Sequence, residues 1–164
     1  MGVLKYSMDI LAPKHKITIN YKGKFSPSII RNMPDFLASV LGIPLYKVYE
    51  DVIMWDTSSG DRISFFCRWT ALETEIDPHS IIKISIEAKG TYFPKEGNGN
   101  IQISIKGFVE TTFEYFTPID KKLKEQYAKT LYQKRRIELR KIGKLYIERI
   151  DRALRELLGI GVET

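Results

Sequence analysis

The sequence predicts a single α+β domain over residues 1–164, with an antiparallel sheet of five or six strands and helices on one side of it. Three observations lead to this fold class. Residues 1–116 alternate apolar and polar side chains between turn signals, residues 27–41 have apolar side chains at helical spacing, and residues 118–158 form a long amphipathic helical pattern. The expected domain is a β-rich body with a short helix pair, and a long C-terminal helix packed across its sheet.

Two short strands are predicted at the N-terminal end. Apolar residues alternate with polar ones over residues 4–10 and again over residues 16–22. A period of two is typical of a strand with one buried face. Pro13 lies between the two runs, so we interpret residues 12–14 as the turn of a hairpin.

A helix pair is predicted next. Ser26 supplies a hydroxyl at the N-cap and Pro27 follows at the first helical position, where a missing N–H costs nothing. Pro34 interrupts the helical pattern and Gly42 ends it. We expect two short helices, or one kinked helix, covering residues 27–41.

Four further strands are predicted to form an antiparallel meander, over residues 45–57, 62–75, 80–93 and 100–116. Residues that favour turns separate each strand from the next. Alternation places one apolar face on the last three strands, formed by Ile63, Phe65, Cys67, Trp69, Ala71, Ile82, Ile84, Ile86, Ala88, Ile101, Ile103, Ile105 and Val109. That apolar face must be buried against another element of the fold.

The C-terminal helix is expected to supply the cover through two apolar series. The first is Ile119, Leu123, Tyr127 and Leu131, and the second is Leu139, Ile142, Tyr146, Ile150, Leu154 and Leu157. A helix of about 38 residues would be roughly 55 Å long, which exceeds the span of a small sheet. It therefore bends near Gly143 or the polar stretch at residues 133–136, or one end projects and meets another chain. Gly159 and Gly161 supply a C-terminal stop.

The order of these elements over residues 14–158, with Ser26-Pro27 opening the helices and Pro34 interrupting them, resembles the helix-grip superfamily of START lipid-transfer domains and birch-pollen-allergen-like proteins. In those folds the sheet curls around the long helix and leaves a cavity for apolar ligands. The resemblance implies a protein that binds a small molecule or a lipid. An enzyme is the third hypothesis, after this one and the interaction module described below. The chain departs from the pattern in having four predicted strands after the helices, where six are usual.

The leading functional hypothesis is therefore an apolar small molecule or lipid held between the sheet and the C-terminal helix. The candidate ligand-binding residues are Phe65, Trp69, Ile84, Ile103, Tyr146 and Glu50. The position of Glu50 between Val48 and Val52 turns it to the apolar face unless a β-bulge intervenes. The bulge is the favoured interpretation, and the functional one is a polar anchor inside a pocket.

The alternative hypothesis is an interaction module that binds nucleic acid or an acidic protein. Residues 118–158 contain 13 basic and 6 acidic side chains, in a chain whose net charge is +6. The proposed anion-binding stripe is Lys134, Arg135, Arg136, Arg140, Lys141 and Lys144. A solvated helix face is the simpler interpretation, and a homodimer formed through this helix is compatible with either. A membrane-surface role is disfavoured, because the apolar face of the helix is needed by the sheet.

The sequence predicts no catalytic residue, no metal site and no cofactor. Its two histidines are interpreted as a strand-edge residue, His15, and a turn residue, His79, and its one cysteine, Cys67, as a buried structural thiol. The glycine-rich residues 97–100 are interpreted as a hairpin turn and not as a phosphate-binding loop. No apolar run is long enough for a membrane span, so we expect a cytoplasmic protein. The abundance of isoleucine and lysine would suit a thermophile.

Overall fold

The computed structural model describes residues 1–160 and confirms the α+β architecture, with a six-stranded antiparallel sheet and helices packed against it. The strands are β1 (Gly2–Asp9), β2 (Ile17–Lys24), β3 (Val48–Asp56), β4 (Ile63–Glu73), β5 (Ser80–Phe93) and β6 (Asn98–Tyr115). The helices are α1 (Ser28–Arg31), α2 (Met33–Leu41), α3 (Pro118–Lys129) and α4 (Gln133–Leu157), with a short 3-10 helix at Leu45–Lys47.

The predicted meander of the last four strands is confirmed, because β3, β4, β5 and β6 pair in that order. The expected hairpin between β1 and β2 is wrong. Both strands pair with β6, β2 along residues 98–105 and β1 along residues 108–115, so that they lie end to end on one edge. At 18 residues, β6 is long enough to pair with two strands of eight residues each.

The apolar face predicted for the meander forms the core. Of the thirteen residues assigned to it, all but the half-buried Ile63 are buried, with at most 4% of their surface exposed. The alternate side chains point to the opposite face, where Lys83, Lys106 and their neighbours remain partly exposed. Period-two alternation was therefore sufficient to identify the buried face of the sheet.

Helix α4 covers this face and runs without interruption through Gly143, so the bend anticipated there is absent. Four of its apolar side chains are at most 1% exposed: Leu139, Ile147, Ile150 and Leu154. The glycine permits a close approach, since a Cβ at Gly143 would lie 2.5 Å from Cδ1 of Ile10 and 3.4 Å from Cγ2 of Ile82. The bend falls instead at residues 130–132, beside the polar stretch. Gly159 follows the helix in a left-handed conformation, φ 72°, and Gly161 lies outside the described residues.

The helix pair predicted over residues 27–41 is confirmed, with its break at Asn32. Pro34 falls in the first turn of α2, where the missing N–H leaves no hydrogen bond unmade. Pro27 takes the N-cap position of α1, and the hydroxyl of Ser26 accepts a hydrogen bond from the backbone N–H of Ser28 at 3.2 Å. Helix α2 packs against both α4 and β3.

Helix α3 does not present its apolar series to the sheet, contrary to the prediction. Ile119, Leu123 and Leu131 are 63–78% exposed, and the only buried residue of α3 is Ala128. Ala128 packs with Phe113 and Tyr132 in a small cluster at the end of β6. The cover of the main core is supplied by α4. Of the i, i+4 series, Tyr127 packs against Phe113 and Tyr132, while Ile119, Leu123 and Leu131 stay largely exposed within residues 1–160.

The contact between Gly143 and Ile10 predicts the effect of the Gly143→Ala substitution. Helix propensity alone would raise the free energy of unfolding by about 1 kcal/mol, whereas overpacking a filled core costs about 1–3 kcal/mol. We expect a net loss, measured by urea denaturation. The Ile10→Val substitution removes the Cδ1 atom, so Gly143→Ala should become neutral or stabilising in that background. Equal effects of Gly143→Ala in both backgrounds would contradict the packing described here.

Candidate functional site

The edge strand β3 carries a β-bulge that sets the direction of its side chains. Its pairing register with β4 shifts between Glu50 and Val52, so the expected bulge is present, but it follows Glu50 and does not turn that side chain to the other face of the sheet. Glu50 is nevertheless exposed, on the edge strand of the sheet, with Trp69 of the apolar face as its register partner. After the bulge, Ile53 and Trp55 face the same side as Glu50.

These three side chains form one wall of an open groove of about 430 Å³. The other wall is the helix α1, which contributes Ile30 and Arg31. Apart from one carboxylate and one guanidinium, the lining is apolar. Trp55 stacks on Phe65 of β4 with ring centroids 5.9 Å apart and an angle of 26° between the planes.

A buried polar atom without a partner lies on the neighbouring strand β4. Trp69 is fully buried, and within the part of the chain that the structure describes its indole Nε1 has no hydrogen-bond acceptor. Nearly all buried donors in folded proteins are hydrogen-bonded, and leaving one unpaired costs on the order of 1–3 kcal/mol. Trp69 is the register partner of Glu50, but it is not one of the residues that line the groove.

The ligand-binding residues predicted from sequence fall into two groups. Glu50 lines the groove, and Phe65 and Trp69 are the register partners of two of its lining residues. Ile84 and Ile103 are buried core residues on β5 and β6. Tyr146 is half-buried and packs against the same core from α4.

The sequence reasoning missed four of the groove residues: Ile30, Arg31, Ile53 and Trp55. Ile53 and Trp55 share a face with Glu50 only because of the bulge, which strict alternation does not include. The contribution of α1 depends on how the helix pair is placed beside β3. Of the features that form the groove, only the apolar run from Ile53 to Trp55, close to the unexpected carboxylate of Glu50, was visible in the sequence.

The six residues of the basic stripe on α4 differ in whether they have partners within the chain or are exposed. Arg135 forms ion pairs with Asp77 at 3.0 Å and Glu138 at 3.1 Å. The guanidinium of Arg136 lies 5.4 Å from the centroid of the Tyr6 ring, and Arg140 donates hydrogen bonds to the backbone carbonyls of residues 10 and 12. The three arginines thus make contacts within the chain. The exposed members of the stripe are Lys134, Lys141 and Lys144.

A buried polar network surrounds Asp77. Its carboxylate accepts hydrogen bonds from the Tyr132 hydroxyl, from Nε of Arg135 at 3.0 Å and from the backbone N–H of His79 at 2.9 Å. The Tyr132 hydroxyl also lies 2.8 Å from the hydroxyl of Ser80. These contacts join the start of α4 to the turn between β4 and β5. Because the partners are 55 and 58 residues apart in sequence, local patterns gave no sign of them.

The environment of the network shifts two pKa values in opposite directions. Burial opposes ionisation of Asp77, but the hydrogen bonds from Tyr132 and His79 and the charge of Arg135 outweigh it and lower the pKa below the ordinary 3.8. The pKa of Tyr132 is raised to about 12, mainly by burial and secondly by the neighbouring Asp77 carboxylate. Asp77 is therefore ionised and Tyr132 protonated at neutral pH. These states suit a structural anchor, because every donor named here has an acceptor.

Neither histidine lines the groove, and Cys67 is the register partner of the lining residue Ile53 but is not itself in the lining. His15 is exposed in the connection between β1 and β2 with φ at 67°, so its assignment to a strand edge was wrong. Its ring Nδ1 lies 2.5 Å from the carboxylate of Asp9. His79 occupies the predicted turn, and Cys67 is buried, which raises the pKa of its thiol. Residues 1–160 contain no cluster of three or more side chains suited to holding a metal ion.

Comparison with known proteins identifies no family. No protein-family model matches the chain, and neither does any curated protein. Solved structures that align with it include a protein of unknown function from Staphylococcus aureus, with 13% identity over 92% of this chain and 98% of that chain, at a TM-score of 0.22. An uncharacterized protein from Rhizobium leguminosarum aligns at 10% identity over 89% and 99%, with a TM-score of 0.23. A protein from Rhizobium loti aligns at 7% identity over 77% and 92%, with a TM-score of 0.17. Similarities this weak carry no conclusion about this chain.

The network around Asp77 predicts how stability depends on pH. Because folding lowers the pKa of this carboxyl, its contribution to stability is fully present above about pH 3.8 and is lost as the pH falls through the folded-state pKa. We expect Asp77→Asn to reduce the free energy of unfolding at pH 7 by about 1–3 kcal/mol. The difference from the unsubstituted protein should shrink at pH 3. Urea denaturation at the two pH values measures it, and a difference that does not depend on pH would contradict the assignment.

Proposed function

We propose that the protein binds a small apolar molecule on the helix-covered face of its sheet, in the groove between α1 and β3. The order of elements over residues 14–158 is also our reason to propose a relationship with the helix-grip superfamily, whose ligands bind between sheet and helix. In this chain the open space lies at the edge of that layer, where Ile30, Ile53 and Trp55 offer apolar contact. A volume of about 430 Å³ lies within the range of small-molecule sites.

The apolar lining of the groove, formed by Ile30, Ile53 and Trp55, is the observation that carries this proposal. The guanidinium of Arg31 on the α1 wall can donate hydrogen bonds to an oxygen of a bound molecule. The ligand is therefore an apolar molecule with a carbonyl, hydroxyl or carboxylate oxygen. Such an acceptor fixes the orientation of the ligand, while the apolar lining supplies most of the binding free energy.

Two charged side chains, Arg31 and Glu50, set the polarity of the groove. They are exposed, so they remain hydrated and cost little when the groove is empty. They also make the entrance polar on both walls, which favours a ligand whose polar end stays near water. A fully apolar hydrocarbon would use neither of these groups.

The second hypothesis, binding of nucleic acid or an acidic protein to α4, now depends on fewer charges. Arg135, Arg136 and Arg140 have partners within the chain, which leaves Lys134, Lys141 and Lys144 exposed. Three lysines on one helix are common on solvated surfaces. The groove is therefore the better-supported site.

Substitutions at two neighbouring positions of β3 test the groove. We expect Ile53→Glu to weaken binding of the apolar fluorophore 1-anilinonaphthalene-8-sulfonate by about tenfold or more, because a carboxylate then lies in the apolar lining. Met54→Glu is the matched control, since Met54 is 60% exposed against 50% for Ile53 but points to the opposite face of the strand. Fluorescence titration measures both affinities. Equal affinities for the two variants would exclude the groove as the site.

The indole signals of the two tryptophans provide an independent test. The chain has two tryptophans, so a ¹⁵N-labelled sample gives two indole N–H signals, which the Trp55→Phe variant assigns. Addition of 1-anilinonaphthalene-8-sulfonate should shift the signal of Trp55, which lines the groove, more than that of the buried Trp69. A Trp55 signal that does not move while the probe binds would exclude the groove as the binding site.

A further inference from the structure

Helix α3 and the residues that flank it expose large apolar side chains that the fold does not use. We define the α3 ridge as Ile119 and Leu123 of the helix together with the flanking residues Phe116 and Leu131, which are 75%, 63%, 63% and 78% exposed. Ile119 and Leu123 are four residues apart, so they are neighbours on one side of the helix. Single exposed apolar residues are ordinary on protein surfaces, but a group of them on one short segment marks an interaction surface.

The core does not need the α3 ridge. The sheet is covered by α4 and α2, and α3 contacts the end of β6 through Ala128 on its opposite side. The sequence-based objection to a membrane-surface role was that one face cannot be buried twice. That objection does not hold for Ile119, Leu123 and Leu131, which remain 63–78% exposed, although Tyr127 of the same series packs against Phe113.

The charges beside the α3 ridge select its partner. Lys122 lies three residues after Ile119 and so neighbours it on the helix, and Lys129, seven residues later, lies on the same side as Lys122 about two turns further along. Both are exposed, and neither forms an ion pair within the described residues 1–160. Residues 118–134 contain five lysines and two acidic residues, so the surroundings of the ridge are basic. A second copy of the chain would bring the same cations against these lysines, whereas an anionic surface complements them.

We propose that the α3 ridge docks the protein on an anionic lipid bilayer. The apolar side chains enter the boundary between headgroups and acyl chains, and Lys122 and Lys129 stay at the level of the lipid phosphates. Helix α3 has 12 residues, about 18 Å, and lies along the membrane surface. Within residues 1–160, no helix has both the length and the apolar character that crossing a bilayer requires. The protein thus binds to the surface and does not span it.

This surface is distinct from the groove between α1 and β3 and does not rest on ligand binding there. Membrane attachment through a short ridge needs two contributions, apolar insertion and attraction between lysines and anionic headgroups. Each phosphate-facing lysine adds about 1 kcal/mol near such a surface. Attachment should therefore require anionic lipid and should weaken as salt is added.

Vesicle cosedimentation of the full chain tests the proposal. We expect the protein to sediment with vesicles of phosphatidylglycerol and phosphatidylcholine, and to stay in solution with vesicles of phosphatidylcholine alone. The Ile119→Ser/Leu123→Ser variant should lose at least about tenfold in partition coefficient, because two apolar side chains no longer insert. The control is Leu145→Ser on α4, since Leu145 is 55% exposed but lies outside the α3 ridge. Both sites are exposed, so the variants should unfold at the same temperature as the unsubstituted protein.

A charge variant separates the two contributions. Lys122→Gln/Lys129→Gln leaves the apolar row intact and should reduce binding to the anionic vesicles severalfold, with a weaker dependence on salt. Equal sedimentation of the ridge variant and the Leu145→Ser control would overturn the proposal. So would a dimer in analytical ultracentrifugation that Leu123→Ser abolishes while vesicle binding is absent, because the α3 ridge would then be an interface between copies.

Discussion

The close approach of α4 to the sheet at Gly143 is the contact on which the rest of the structure depends. Ile10 fills the space between Gly143 of the helix and Gly107 of β6, where a Cβ on either glycine would lie within 3.0 Å of its Cδ1 atom. Arg140, one turn before Gly143, binds the carbonyls of residues 10 and 12 and holds the connection that leaves β1. Helix, sheet and connection are thus fixed at one place, and the apolar face of β4, β5 and β6 is closed.

The position of α4 also determines what remains at the surface. The network around Asp77 ties the beginning of α4 to the turn between β4 and β5, so the chain must turn at residues 130–132 and α3 lies beside the end of the sheet. The α3 ridge is left outside for that reason. At the opposite end of the strand order, β3 has no further strand beyond it, and its bulge opens the groove toward α1. The two proposed binding surfaces therefore follow from the same arrangement of layers.

Local periodicity predicted the sheet well and the placement of its neighbours poorly. Alternation identified the buried residues of β4, β5 and β6, because inward and outward side chains differ in polarity along each strand. It could not show that β1 and β2 share one edge of β6, since pairing partners are chosen by long-range contact. The i, i+4 series of α3 was assigned to the core because an apolar row that faces a partner has the same spacing as one that faces a sheet. The sequence pattern also did not predict that Arg135 and Arg140 turn inward, because their partners lie far away in the sequence.

The packing of α4 at Gly143 is tested most directly by nuclear Overhauser contacts in a sample with ¹³C-labelled isoleucine methyl groups. The account predicts contacts from the Cδ1 methyl of Ile10 to the Hα protons of Gly143 and to Ile82, and none from the Cδ1 methyl of Ile119 to any proton of the sheet. Contacts from Ile119 to the sheet, with none between Ile10 and Gly143, would contradict it, because α3 and not α4 would then cover the core.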